Sequence, residues 1–168
     1  MTEPGETGAI APGAQTVERL RQSGISIDRG GDFQHEGAPV RHAGLRRALF
    51  RWLDRLPDGR TVLRLDPARF AYVEVADTPL VARAARIDGD RLWLALTDGA
   101  EELLDPTTLT VDGAGVLRCR VRSGRLEARL ATSAAAVVAE LITDGPGPPS
   151  LIVGGRAFPV VDRPAARP

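Results

Sequence analysis

Apolar residues along the chain recur with two periods, and the change from one to the other marks out the elements. Leu45, Ala48, Leu49, Trp52, Leu53 and Leu56 follow helical spacing, which predicts a helix stopped by Pro57-Asp58-Gly59. Ala134, Val137, Val138, Leu141 and Ile142 predict a second helix, N-capped by Thr132 or Ser133 and stopped by Thr143-Asp144-Gly145-Pro146. Glu140 is the only charge in that second stretch, so burial on more than one side is expected. Gln15 to Gln22 has the length of one further short helix before Gly24. Elsewhere the period is two. Strands are predicted at 25–28, 32–35, 61–65, 70–75, 80–87, 91–96, 109–111, 117–130 in two halves, 151–153 and 157–161, with a single helical turn over 101–105.

Two hairpins have a readable register. A loop at Gly89-Asp90 sets Asp88 opposite Arg91, Ile87 opposite Leu92, Arg86 opposite Trp93 and Ala85 opposite Leu94. A loop at Ser123-Gly124 sets Leu117, Cys119 and Val121 against Leu130, Ala128 and Leu126 on one face. The other face then carries Arg118, Arg120, Arg122, Arg125 and Arg129 with Glu127, and it is expected to be solvated.

The elements recur in order. Residues 25–65 and 117–161 each run hairpin, helix, Asp-Gly stop, strand, which predicts an α+β fold of mainly antiparallel sheets with two principal helices and internally duplicated units. Residues 1–15 and 163–168 hold little that can be buried and are expected to be disordered tails. Between them the reading is an N-terminal α+β subdomain over 16–66 and a C-terminal sheet-plus-helix subdomain over 67–162.

Charge removes several functions. The 168 residues hold 22 basic side chains, all Arg, against 22 acidic ones, so no global attraction to nucleic acid or to an anionic membrane is expected. No apolar run is long enough to span a bilayer and the acidic N-terminus does not resemble a signal peptide, so the protein is expected to be cytoplasmic. The single cysteine, Cys119, alternates with arginines on an apolar strand face and reads as a small core residue. One cysteine and two histidines in the spacing His35-x6-His42 build no metal centre, and neither metal nor cofactor is expected.

Catalytic motifs are absent as well. No Gly-x-Ser-x-Gly is present, Gly113-Ala-Gly115 precedes a strand rather than a helix, and enzyme activity has no support beyond an open possibility of phosphoester hydrolysis. His35, Glu36 and Gly37, leading through Pro39 and Arg41 into the first helix, read in two ways. They form an anion pocket at a helix start, or His35 simply ends a strand and Arg41 is solvated. The arginine face of the 117–130 hairpin has the same ambiguity, and the lack of interleaved aromatic residues argues against single-stranded nucleic acid.

The segment Gly31-Asp-Phe-Gln-His-Glu-Gly-Ala-Pro-Val40 ahead of a helix, together with Val73-Glu-Val-Ala-Asp-Thr-Pro-Leu80, resembles the bacterial family called domain of unknown function 1285. The resemblance spans about residues 24–161 and departs at Phe33, where Trp is expected, and at Leu80, where Phe is expected. It implies a duplicated core, a C-terminal part like a pleckstrin-homology sheet with a helix, and a small, nucleotide-like or otherwise anionic ligand held between the halves in a signalling role. On this chain it implies that His35, Glu36 and Gly37 line the cleft with Arg41 nearby, and that Asp77, in an acidic-Pro turn between strands, is a further ligand-binding candidate. A non-enzymatic protein-interaction module, using a sheet edge or the arginine face, is the competing expectation.

Overall fold

Residues 21–163 are described by the computed structural model, and over them the chain is α+β with two helices and mixed, mostly antiparallel sheets. The predicted helix over 15–22 lies outside the described residues except for its end, where Gln22 already opens a strand. Both tails lie outside them too, apart from Arg163, whose N–H bonds Val111 O and whose side chain pairs with Glu127.

The first sheet holds β1 (Gln22–Ile27), β2 (Phe33–His35), β3 (Ala38–Pro39), β4 (Leu53–Arg55), β5 (Thr61–Arg64) and β6 (Phe70–Val75), in the order β3-β2-β1-β6-β5-β4. Helix α1 (Ala43–Trp52) follows β3. The helix ends four residues earlier than its periodicity predicts, because Leu53-Asp54-Arg55 suit a strand equally well. Leu53 is buried opposite Leu63, and Asp54 reaches Arg64 across the hairpin. Asp58-Gly59 therefore turns a hairpin rather than stopping a helix. Leu49 and Phe50 are the buried residues of α1, and Phe50 meets Phe33 edge to face at 4.7 Å. Leu45, on the predicted apolar face, stays 46% exposed beside an apolar groove of about 560 Å³ shared with Trp52, Leu63, Leu65 and Phe70.

The second sheet holds β7 (Leu80–Asp88), β8 (Arg91–Leu96), β9 (Glu101–Leu103), β10 (Thr110–Val111), β11 (Leu117–Val121), β12 (Leu126–Leu130) and β16 (Val161–Asp162). Their order is β16-β10-β11-β12-β7-β8-β9. Both predicted registers hold, Asp88 opposite Arg91 through Ala85 opposite Leu94, and Arg118 opposite Arg129 through Val121 opposite Leu126. The segment 101–105 is not a helical turn. Glu101–Leu103 extends as β9 because β8 offers it a free edge, with Leu103 opposite Trp93. Helix α2 (Thr132–Ala139) packs on this sheet, and β13 (Ile142–Thr143), β14 (Ser150–Val153) and β15 (Arg156–Pro159) make a third, small sheet.

Helix α2 departs from expectation at both ends and on its outer face. Its N-cap is Ala131 with no side-chain cap; Ser133 Oγ instead donates to Arg83 O on β7. Only Ala134 and Val138 are buried, while Ala136 and Ala139 face solvent. Low polarity here reflects exposed alanine, which favours helix and costs little on a surface, rather than burial on two sides. The order hairpin, helix, Asp-Gly, strand recurs in both stretches. Pairing differs: β1 lies parallel to β6, which follows its helix, whereas β12 lies parallel to β7, which precedes its helix.

The chain crosses from the first sheet to the second between Val75 and Leu80, so the Asp77-Thr78-Pro79 turn joins two sheets rather than two strands of one. One continuous core spans the junction, including Ile27, Phe33 and Phe50 from the first unit and Leu80, Leu94 and Leu126 from the second. Gly31, at φ +81°, lets the β1–β2 turn close on the second sheet; a Cβ there would sit 2.9 Å from Thr97 and 3.0 Å from Val81. Thr78 locks the crossing. Its buried hydroxyl donates to Leu80 O at 2.7 Å and accepts from the Arg129 N–H at 3.1 Å. Thr78→Val strips both partners and is expected to cost about 1–3 kcal/mol in urea unfolding. Thr78→Ser keeps the hydroxyl, and equal losses in the two variants would show that the hydrogen bonds do not matter.

Candidate functional site: an arginine-lined cavity between two sheets

Glu36 and Gly37 have φ of +50° and +80° and form the two-residue turn between β2 and β3, the primed geometry that matches strand twist. His35, Glu36, Gly37 and Arg41 are all exposed on this edge hairpin. The helix that follows is capped by His42, not by a ligand: its Nδ1 accepts the Leu45 N–H at 3.1 Å. None of the four lines the cavity between the units, and Asp77 is not joined to them. Its carboxylate instead meets Arg118 Nη2 at 2.8 Å and Arg129 Nε at 3.3 Å.

The arginine face of the β11–β12 hairpin is solvated only in part, at Arg120 and Arg125. It meets the first unit. Arg118, 8% exposed, lies between Asp77 and Asp112. Arg129 Nη2 donates to Arg29 O at 2.7 Å. Arg122 Nη1 donates to Phe50 O at 2.7 Å and Nη2 to Asp98 at 2.6 Å, so one guanidinium caps the C-terminal end of α1 and pairs with a carboxylate that is only 5% exposed. Arg122 holds φ +51° in doing so, a left-handed conformation kept by these partners and by its N–H to Glu102 at 2.7 Å.

Beside that docked hairpin tip a shallow, solvent-open depression of about 460 Å³ lies between the units. The β4–β5 turn brings Arg55, Leu56, Pro57 and Gly59, β5 brings Arg64, and the hairpin brings Arg120, Gly124 and Arg125. Asp54 is the carboxylate that reaches into this group, at 3.1 Å from Arg64 Nε and 3.4 Å from Arg125 Nη1. Arg64 Nε is shielded from water yet is not aligned for a hydrogen bond. Arg55 Nε is satisfied only by a backbone oxygen, Gly59 O at 3.1 Å. Arg120 carries its own N–H on Thr108 Oγ1 and is exposed, with no ion pair on its guanidinium among the described residues. Four arginines thus border this depression, two of them sharing Asp54, while Glu127, opposite Arg120, is taken by Arg163, in a protein whose formal net charge is zero.

Sequence reasoning placed Arg120 and Arg125 on one hairpin face but had no signal for Arg55 or Arg64, because no local pattern says which surface a distant hairpin meets. Other chemistry is not assembled. Cys119 is 1% exposed, and burial pushes its thiol up to about 12, which makes it inert core. Among the described residues no three His, Cys, Asp or Glu side chains converge as a metal site, and no helix is long and apolar enough to cross a membrane.

No family model matches the sequence, and no curated protein is significantly similar to it. Solved structures are. A DUF1285 family protein from Silicibacter pomeroyi DSS-3 superimposes with a TM-score of 0.69 at 22% identity, covering 83% of this chain and 80% of that one. A DUF1285 family protein from Shewanella baltica OS155 gives 0.55 at 17% identity, covering 67% and 87%. The resemblance read from the His35 and Asp77 segments is therefore supported by the backbone path over most of the chain, and the fold of this chain is that of the domain of unknown function 1285 proteins.

Proposed function

We propose that the protein binds a small anionic ligand in the arginine-lined cavity where its two sheets meet, without catalysing a reaction on it. The observation that carries this reading is the excess of guanidinium over carboxylate around one concave site, with Arg120 unpaired. Clustered like charge is costly until an anion neutralises it, and guanidinium is shaped to hold phosphate or carboxylate oxygens in pairs. No nucleophile or general base lines the cavity, which supports binding over turnover. Residues from both units form the walls, so a bound anion tightens the junction between them. That is the physical basis on which occupancy could be reported to a partner in a signalling role.

The competing reading, a protein-interaction surface, rests on the free edge of β9, where Leu103 is 48% exposed. The arginine face no longer supports it, since Arg118, Arg122 and Arg129 are engaged within the chain.

Calorimetric titration with inorganic pyrophosphate is the test. Saturable 1:1 binding is expected, weakening as salt rises, and Arg120→Glu is expected to reduce affinity by roughly tenfold or more while leaving the ligand-free melting temperature unchanged. Heats that never saturate at low salt, or an Arg120→Glu variant that binds as the parent does, would remove this cavity as the site and return weight to the β9 edge.

A further inference from the structure

We infer that the ligand class is a compact polyanion, a condensed phosphate or a small molecule bearing several clustered phosphates, and that the cavity makes no provision for a nucleobase. This rests on the anion-binding reading above and narrows it.

Charge comes first. Glu127, opposite Arg120, is paired with Arg163, and Asp58 with Arg60, so Arg55, Arg64, Arg120 and Arg125 are left with Asp54 as their paired carboxylate, an excess of three positive charges around one depression of about 460 Å³. A single carboxylate or sulfate neutralises a fraction of that excess, whereas a chain of linked phosphates carries three or four charges in a comparable space. Asp54 is already shared between Arg64 and Arg125, so the cations left without a carboxylate among the described residues are Arg55, contributed by β4, and Arg120, contributed by β11. An anion with several clustered charges can engage both together with the shared pair.

The walls supply the second argument. The non-arginine lining is Leu56, Pro57, Gly59 and Gly124, with no aromatic ring among them. Bases are held by stacking on aromatic rings or guanidinium planes and by hydrogen bonds to their edges; this lining offers no aromatic platform and no Asn, Gln or Ser amide or hydroxyl, and its only flat groups are the guanidiniums that the oxygens of a polyanion would engage. Tyr72, the aromatic residue held over a guanidinium of the same turn, lies against Arg60 at 4.2 Å and is not part of the lining. The nucleotide-like ligand that the family resemblance implied is therefore narrowed to its phosphates.

Asp54 gives a signature of opposite sign. As the carboxylate nearest the cations it competes with any anion for Arg64 and Arg125, so removing its charge strengthens binding of a polyanion while arginine substitutions weaken it. A merely structural role for the cluster predicts no gain.

The experiment is calorimetric titration of the full chain with orthophosphate, tripolyphosphate, ATP and adenosine at one salt concentration, repeated on Asp54→Asn and Arg120→Glu. Tripolyphosphate is expected to bind at least about tenfold more tightly than orthophosphate and no more weakly than ATP, with adenosine silent. Asp54→Asn is expected to raise tripolyphosphate affinity several-fold and Arg120→Glu to lower it. ATP binding more than about tenfold more tightly than tripolyphosphate would show that base or ribose is read and would overturn the inference while leaving anion binding intact. Orthophosphate binding as tightly as tripolyphosphate would do the same by showing that charge clustering is not sensed. Absence of binding by every anion would overturn both this inference and the reading on which it rests.

Discussion

Replacing Arg122 by alanine is expected to lower the unfolding free energy by about 3–5 kcal/mol, the range for stripping one partner from a buried ion pair. Three consequences meet at that one side chain. Asp98, 5% exposed, loses the guanidinium that sits 2.6 Å away and keeps only its hydrogen bond from the Ala100 N–H. The carbonyls of Phe50 and Leu53, at the end of α1, lose their donor and the positive charge that complements the helix dipole. The hairpin tip then loses its hold on the first unit, because Arg125 to Asp54, at 3.4 Å between exposed and half-buried groups, is the weaker tie. A solvated arginine would behave differently. Surface substitutions usually change stability by less than about 0.5 kcal/mol, so urea unfolding followed by Trp52 and Trp93 fluorescence separates the two readings cleanly. In the double variant Arg122→Ala with Asp98→Ala the losses are expected to fall short of their sum, because the second change removes the charge the first one stranded. A single-variant loss under about 1 kcal/mol would mean that the clamp is not what holds the units together.

Where the chain was legible, information was local. Residues 85–94 and 117–130 show both alternation and a glycine turn, and these fix pairing without reference to the rest of the molecule; both registers hold residue for residue. The ends of the helices were not local. Leu53 satisfies the period of a helix and equally that of a strand, and what decided was the partner strand β5, brought opposite Leu53 by the Asp58-Gly59 turn. The same holds for Glu101–Leu103, which is a strand because β8 has an unpaired edge beside it. Secondary structure that depends on a distant neighbour is invisible to periodicity.

The site was less legible than the fold, for a related reason. Alternation placed five arginines on one face of a hairpin correctly but said nothing about what that face meets. A face rich in charge reads as wet unless distant segments supply carboxylates and helix-end carbonyls, and here Asp98 and Asp112 from turns of the same sheet, Asp77 from the crossing turn, and Phe50 O and Leu53 O from the first unit supply them. Of that face only Arg120 and Arg125 border the depression between the units, joined by Arg55 from β4 and Arg64 from β5, more than fifty residues earlier. The His35-Glu36-Gly37 motif, read from the sequence as an anion pocket or a strand end, is a hairpin turn in the structure. Two successive residues with positive φ make a tight hairpin, and that alone explains a glycine there.

Asp77→Ala is expected to cost about 3 kcal/mol, the lower end of the range for breaking a buried pair, because Arg118 retains Asp112 as a second partner. Arg118 is 8% exposed and cannot turn to water for compensation, and its Nε is already shielded without a hydrogen bond. Asp77→Asn keeps the shape and one acceptor oxygen and is expected to lose less. If Asp77 were a ligand contact at the surface, as the family resemblance implied, alanine would change ligand affinity and leave unfolding untouched. Acid reports on Asp112, the second carboxylate that flanks Arg118. The guanidinium hydrogen bond, followed by the N–H groups of Val116 and Ala114, holds Asp112 down to about 2 from an ordinary 3.8. A carboxyl group lowered on folding stabilises the native state above its unfolded value, and that contribution disappears as the pH falls from about 3.8 to about 2. Unfolding measured across that window is therefore expected to show an acid limb in the parent and in Asp77→Ala, and a shallower one in Asp112→Asn. An Asp112→Asn variant as acid-sensitive as the parent would place the titrating partner of this network elsewhere, and the two arginines that Asp77 bridges would then have to be balanced by it alone.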